Sequence, residues 1–369
     1  MDPSGQISSL DHELACLSQR MPIEFFSVTS DAREQEQKQV ESHMRVCLKV
    51  LPGFRGMVTV SPSEPILSEA AYQVMSQNDF NAPKALKEVM SGFSVNKGDR
   101  GEFAVMLLFT LARDAAVRIR RAASAEHPRV IPVVDFLTSL FINHETIISA
   151  LPSMGGESML KLEAAFANSR IHFNHFIKVH QHAVINRKYL LWLLSRGAAV
   201  LCGNSQAGID GIVPFVFRDS HLQADNIGVI LWQSKADRSF SHIPKRNLFD
   251  KMDPFKLGIF DESDAKCIPV IRIVFALLAN TASVKVLLPS DQTLSYPAYD
   301  IWCSGISATC LTPVQPHNED IWKHLVEASC KWEAVYKVDD SRTKELRMTM
   351  NPGIAIDQAF WKWTTLGSN

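Results

Sequence analysis

Residues 197–235 read Gly197-Ala-Ala-Val-Leu-Cys-Gly-Asn-Ser-Gln-Ala-Gly-Ile-Asp210-Gly-Ile-Val-Pro-Phe-Val-Phe217, then a polar stretch, then Asn226-Ile-Gly-Val-Ile-Leu-Trp-Gln233-Ser-Lys235. Three apolar runs rich in β-branched residues (Ala198–Cys202, Ile212–Phe217, Ile227–Trp232) alternate with Gly, Asn, Asp and Ser, which break strands and make turns. Each run is short and nearly all apolar, the pattern of a strand buried on both faces. If the second and third runs pair as an antiparallel hairpin with Phe217 opposite Asn226, constant register places Asp210 opposite Gln233. Side chains alternate with period two, so Lys235 shares the face of Gln233. A bulge would break this convergence. Polar groups at the ends of core strands cost free energy unless something pairs with them, so the trio calls for a reason.

Outward from this core the chain reads as helical. Val40, Met44, Cys47 and Leu48 have helical spacing in a polar stretch, predicting a surface helix over Ser30–Leu51. Helices follow at about Leu67–Gln77 and Ala82–Ser91. The strongest helical signal runs from Asp99 to Arg121, where Asp99 and Glu102 have capping-box spacing. Val133–Ile142, Met159–Phe166 and Arg187–Ser195 read as helices, the last leading straight into Gly197. Beyond Lys235 the sequence predicts a helix over Pro244–Asp253, strands over Pro269–Leu277 and Val284–Leu288, and a helix over Glu319–Trp332 with Trp322 and Leu325 buried. Phe360, Trp361 and Trp363 give the tail an aromatic face to dock. The expected division is an N-terminal helical region, 1–95, and an α/β domain, 96–369, with a helical insertion at about 122–185.

Composition bounds the function. A 369-residue chain with 46% hydrophobic and 21% charged residues is a folded globular protein. Its net charge of -1 supplies no global basic field, so nucleic acid would have to bind through local patches. Seven cysteines without a CxxC pair read as reduced thiols, and no run approaches the roughly 18 apolar residues of a membrane span. With no secretory leader at the N-terminus, the expectation is an intracellular protein, nuclear or cytoplasmic, with no membrane partner.

Asp210 followed by Gln233-Ser-Lys235 at the end of the next strand resembles the PD-(D/E)XK nuclease-like superfamily, where a hairpin carries an acid on one strand and acid-x-Lys on the next. A wider resemblance rests on Phe173-Asn-His-Phe-Ile-Lys-Val-His, Arg196-Gly-Ala-Ala-Val-Leu-Cys, Gly208-Ile-Asp-Gly-Ile-Val-Pro-Phe, Ile230-Leu-Trp-Gln-Ser-Lys and Met350-Asn-Pro-Gly. These look like blocks of an uncharacterised family abundant in fungal genomes, from which no activity carries over. The superfamily resemblance implies an α/β fold with a small mixed sheet of the restriction-endonuclease-like type, elaborated by N-terminal and inserted helices. It implies a metal-dependent nuclease acting on DNA, with Asp210, Gln233, Lys235 and Glu102 as catalytic residues. Of these, Asp210, Gln233 and Glu102 would hold Mg²⁺.

The chemistry suits that reading. Mg²⁺ takes oxygen ligands and keeps several waters, and a lysine stabilises charge developing on a phosphate. Gln233 stands where the superfamily usually has an acid, which removes one negative charge from the site. The alternative is therefore a catalytically inert binding or interaction module that keeps the fold. Each residue also has an ordinary role: Gly-Ile-Asp-Gly is common turn chemistry, Glu102 completes a capping box, and Lys235 is a strand-end lysine reaching solvent. His172, His175, His180 and His182 lack the helical spacing of a zinc pair and read as packed or phosphate-facing side chains. Arg118, Arg120 and Arg121 read as a solvated helix end. P-loop and GxSxG signatures are absent.

Overall fold

The apolar runs around Asp210 form strands because flanking Gly and Asp residues stop them and helices cover both their faces. The computed structural model describes residues 10–24, 30–54, 56–77, 80–92, 100–123, 129–153, 160–203, 208–217, 222–261, 268–289 and 296–330. These lie in one unit, Met1–Ser329, apart from the last residue; Cys330–Asn369 cluster separately. Asp99, Cys267, the turn residues 204–207, the Met350 block and the tail aromatics lie outside the described residues.

Helices α1 (Leu10–Ser18) and α2 (Ser30–Ser42) lead into a two-stranded hairpin of β1 (Val46–Val50) and β2 (Met57–Val60). Then come α3 (Pro65–Met75), α4 (Ala82–Gly92), the long α5 (Arg100–Ala123), β3 (Ile131–Pro132), α6 (Val133–Leu140), α7 (His144–Ile148) and α8 (Leu162–Ala165). β4 (Arg170–Ile171), β5 (His175–Val179) and α9 (Arg187–Ser195) precede the central strands β6 (Ala198–Cys202), β7 (Gly211–Val216) and β8 (Ile227–Lys235). The described elements end with α10 (Arg246–Phe249), β9 (Val270–Ala276), β10 (Ser283–Val286), β11 (Ala298–Ser304) and α11 (Glu319–Cys330).

Among the described residues nine strands make one mixed sheet, larger than the small sheet expected. β6, β7 and β8 form an antiparallel meander, and β9 then runs parallel to β8 with β11 parallel to β9. β5 joins β6 in parallel, while β4 and β3 extend the other half of the β7 edge. The α9-to-β6 connection is tight because Gly197 takes a positive φ of 68° directly after the helix, a conformation open to glycine.

Alternation sorts the strand residues onto two cores. Phe215, Ile230, Trp232, Ile273, Phe275 and Tyr299 face a layer built on α5, whose Phe109 ring lies 5.9 Å from Trp232 and 5.7 Å from Phe275. Val200, Ile212, Leu231, Val274 and Trp302 face α9 and α10. Fully burying each such side chain stabilises the fold by about 1.5–3 kcal/mol. Leu14, Leu17, Tyr72 and Leu86 of the N-terminal helices belong to the same core as α5. Across it, Arg20 makes a two-pronged ion pair with Asp114 of α5 at 2.6 and 2.9 Å.

Two expectations change. The helix predicted over Ser30–Leu51 stops at Ser42, and residues 46–50 are β1. Val46, Leu48 and Val50 also alternate, and the following Pro52-Gly53 turn, with Gly53 at φ 71°, returns the chain as β2. The stretch 122–185 carries β3, β4 and β5 as well as helices. β9, β10, α9 and α11 form where the pattern placed them, with Trp322 and Leu325 buried.

Candidate functional site

The β7–β8 register is the one read from the sequence: Val216 faces Ile227 and the pairing continues without a slip to Gly211 opposite Trp232. One residue further it changes. The N–H of Asp210 donates to the carbonyl of Trp232 at 2.9 Å, so Asp210 and Gly211 both meet one residue of β8. This is a bulge at the start of β7, and bulges re-aim side chains. Asp210 therefore does not face Gln233. Its Oδ2 accepts from the backbone N–H of Ser234 at 2.6 Å and from the Ser234 hydroxyl at 2.7 Å. The carboxylate takes the ladder position that β7 leaves empty.

Desolvation by the packed surroundings raises the Asp210 carboxyl above its usual range, against the opposing pull of the two Ser234 hydrogen bonds and of the Lys235 charge. Oδ1 takes no hydrogen bond from the described residues.

Ser234 also meets α5. A methyl group placed on Gly101 would lie 3.4 Å from the Ser234 hydroxyl and 3.2 Å from the Ala236 side chain, so the first turn of α5 sits against the end of β8. Glu102, half-buried, belongs to that turn. Its charge and that of Asp210 both reach Cys202 at the end of β6, where burial first and then the two carboxylates push the thiol well up. The Cys202 N–H donates to the Asp210 carbonyl at 2.8 Å, which fixes β6 against the bulge.

Gln233 and Lys235 leave β8 on the face opposite Ser234. Gln233 is only 6% exposed, and its Oε1 is enclosed with no hydrogen-bond partner among the described residues. Lys235 is half-buried, and its carbonyl accepts from Leu277 at 3.0 Å. The structure thus gathers Asp210, Ser234 and the Glu102 turn, with Lys235 close enough to act on Asp210, and holds Gln233 apart. Sequence reasoning passed over Ser234 as the variable middle residue of the triplet. The Gly211 that permits a tight approach was the available signal. The oxygen-only donors Asp210 Oδ1 and Glu102 suit Mg²⁺ rather than a softer metal, while Gln233 Oε1, on the other face of β8, does not join them. Among the described residues no group of three or more His, Cys, Asp or Glu is placed to hold a metal ion, so such a site rests on two carboxylates.

The histidines are engaged singly. A ring nitrogen of His172 meets the Leu194 carbonyl at 2.9 Å, His180 meets Glu24 at 3.3 Å, and His182 meets the Leu257 carbonyl at 2.7 Å. Arg120 pairs with Asp135 at 2.6 Å.

Fold and site together define a mixed α/β protein whose central hairpin carries an acid on a bulge and a lysine at the end of the adjoining strand. The chain belongs to the family described as a domain of unknown function, DUF8736, whose model matches residues 6–250. That span takes in the whole β6–β7–β8 meander and Lys235. No curated protein and no solved structure matches the chain. Among the described residues no helix is long and apolar enough to cross a membrane.

Proposed function

We propose that the protein is a metal-dependent nuclease of the PD-(D/E)XK type that cleaves DNA phosphodiester bonds. The observation that carries this reading is the convergence on Ser234: the bulge anchors Asp210 there, and the first turn of α5, with Glu102, abuts the same residue. Asp210 through Oδ1 and Glu102 would hold Mg²⁺, with waters and the substrate phosphate as the remaining donors, while Gln233, on the other face of β8, stays out of the set. When bound, the ion supplies a Lewis acid and a water of lowered pKa. The two carboxylates already create a negative field, visible at Cys202, that draws a cation. Ser234 fixes the Asp210 carboxylate through two hydrogen bonds, so Oδ1 presents a defined lone pair. Lys235, whose charge reaches Asp210, would stabilise negative charge growing on the scissile phosphate. The N-terminal end of α5 carries the positive pole of the helix dipole, which favours a phosphate beside it.

The test is plasmid nicking by purified protein with Mg²⁺ or Mn²⁺. Asp210→Ala and Lys235→Ala should each abolish it, and Glu102→Gln should reduce it at least tenfold. Nicking that survives both alanine variants rejects the site.

A second reading, an inert interaction module that keeps the nuclease-like core, draws on one observation: Gln233 is buried on the opposite face from Ser234 and contributes no charge. Absence of nicking with either metal on any DNA form, together with no metal-dependent change in thermal midpoint, selects that reading.

A further inference from the structure

The segment between β2 and α3 holds a hydrogen-bonded relay that the nuclease reading does not use. Ser63 Oγ lies 2.9 Å from His175 Nε2, and His175 Nδ1 lies 2.7 Å from Asn174 Oδ1. The amide of Asn174 is oriented by its own second bond, with Nδ2 donating to the Pro65 carbonyl at 3.2 Å. Its Oδ1 therefore accepts, His175 Nδ1 carries the hydrogen, and Nε2 is a bare acceptor. The Ser63 hydroxyl donates to it. A hydroxyl on a neutral imidazole whose tautomer is fixed by a third group is the arrangement that activates a nucleophilic serine.

The surroundings are built to hold it. His175 is 1% exposed in β5, and Asn174 is buried beside it. Ser63 is partly exposed, and its bond to His175 is only partly buried. Arg196, following α9, donates Nη2 to the Ser63 carbonyl and brings a cation to the same loop. Glu64, after Ser63, caps the 11-residue helix α3 that begins at Pro65, its carboxylate accepting from the Ile66 N–H at 3.4 Å.

We propose that Ser63 is a nucleophile that attacks carboxylic esters with acidic leaving groups. Ser63 Oγ bonds to the carbonyl carbon, and its proton passes to His175 Nε2. The ester C–O bond breaks, and the leaving alcohol departs with that proton, giving an acyl-serine. A water then attacks the same carbon, gives one proton to His175, and releases the carboxylic acid as Ser63 recovers that proton. Charge growing on the carbonyl oxygen meets the Arg196 cation. Burial, with Arg20 and Arg196 nearby, lowers the His175 pKa to about 3, so the imidazole is neutral but a weak base. This is why the substrate class is restricted to esters whose leaving groups need little protonation.

The experiment uses the full chain with a fluorophosphonate probe and p-nitrophenyl acetate, read by intact mass and peptide mapping. One adduct per chain on Ser63 is expected. Ser63→Ala should lose it, and ester hydrolysis should fall at least tenfold. Asn174→Asp, which keeps the acceptor and adds charge to the relay, should label several-fold faster. Folding of each variant is checked by thermal midpoint. Absence of an adduct in folded wild type, an adduct on another residue, or labelling of Asn174→Asp no faster than wild type overturns the proposal and leaves the relay as a latch between the 61–65 loop and β5. Asp210→Ala should label normally, which separates this site from the nuclease site.

Discussion

Trp232 folds its indole over Gly211, its direct partner across the β7–β8 ladder. A Cβ at Gly211 would lie 2.4 Å from Trp232 Cζ2 and 2.4 Å from the Val200 carbonyl. Four pairs along the ladder the device repeats in reverse: the Phe215 ring covers Gly228, where a Cβ would meet a ring atom at 2.2 Å. Each glycine is there because an aromatic ring occupies the space its side chain would take, and the two rings bring the apolar bulk of the hairpin to the α5 core. Gly211 also adjoins Asp210, so the crossing sits next to the bulge that aims the carboxylate.

Gly211→Ala should therefore unfold the protein more easily by about 1–3 kcal/mol, the usual cost of overpacking a core. It should also disturb Asp210 first. The measurement is a urea midpoint for wild type, Gly211→Ala and the compensating Gly211→Ala/Trp232→Leu pair. The double variant should lose less stability than the two single variants together, with the Val200 carbonyl contact left unrelieved. A double variant no better than the sum of its parts contradicts the steric account.

Two arginine–aspartate pairs with similar distances should behave differently. Arg272 and Asp300, partners across β9 and β11, are both fully buried and joined at 2.5 and 2.7 Å. Arg120 and Asp135 meet at 2.6 Å with 42% and 39% of their side chains exposed. Removing one charge of the buried pair leaves the other uncompensated in a low-dielectric interior. Asp300→Ala is expected to cost about 3–5 kcal/mol, and Asp135→Ala at most about 1 kcal/mol. Only the second should shrink with added salt. Chemical denaturation at two ionic strengths checks both numbers.

Buried charge also explains what the sequence conceals. The all-apolar runs announced β6, β7 and β8, and constant register then predicted their pairing down to Gly211. The pattern places no strand at β11, Ala298-Tyr-Asp-Ile-Trp-Cys-Ser304, which carries an aspartate in its middle, and nothing local reveals that Arg272 lies opposite to neutralise it. The same limit applied at the site. Alternation could place Gln233 and Lys235 on one face, but a bulge is an extra residue in one strand, fixed by how β6 and β8 clamp Asp210 from both sides. The Ser63 relay joins residues 63, 174 and 175 from a loop and a strand, a contact no spacing rule encodes. Local pattern showed the hairpin, and tertiary pairing chose which polar groups meet.

Gln233→Glu tests whether the enclosed amide belongs to a metal site. A carboxylate at a position 6% exposed with no partner pays a desolvation cost, so the apo variant should melt several degrees below wild type at neutral pH. Because Gln233 leaves β8 on the face away from Ser234 and Asp210, millimolar Mn²⁺ should leave that lowered midpoint unchanged. Differential scanning fluorimetry reads both effects. A midpoint that Mn²⁺ restores, with the rescue cancelled by Asp210→Asn in the same chain, would instead put Gln233 in the donor set with Asp210 and Glu102.

The pH dependence of stability should carry the signature of Asp210. Its carboxyl is raised in the folded protein, chiefly by desolvation, whereas unfolded it titrates near its ordinary value of 3.8. Between those two values the folded state binds more protons than the unfolded state, so stability falls as pH rises through the window. Below the unfolded value both states are protonated and the group contributes no slope; above the folded value the full penalty of a buried carboxylate is present. Asp210→Asn keeps an oxygen acceptor for Ser234 but no charge, so it should match wild type at the acid end and exceed it at neutral pH. Urea midpoints from pH 4 to 8 for the two proteins give the comparison, and their difference should grow with pH and then level off. A difference that is flat, or that favours wild type at neutral pH, would mean that the Ser234 hydrogen bonds and Lys235 outweigh desolvation. In that case the carboxylate would be held ionised by its setting, and the energetic reason to recruit a cation would be weaker.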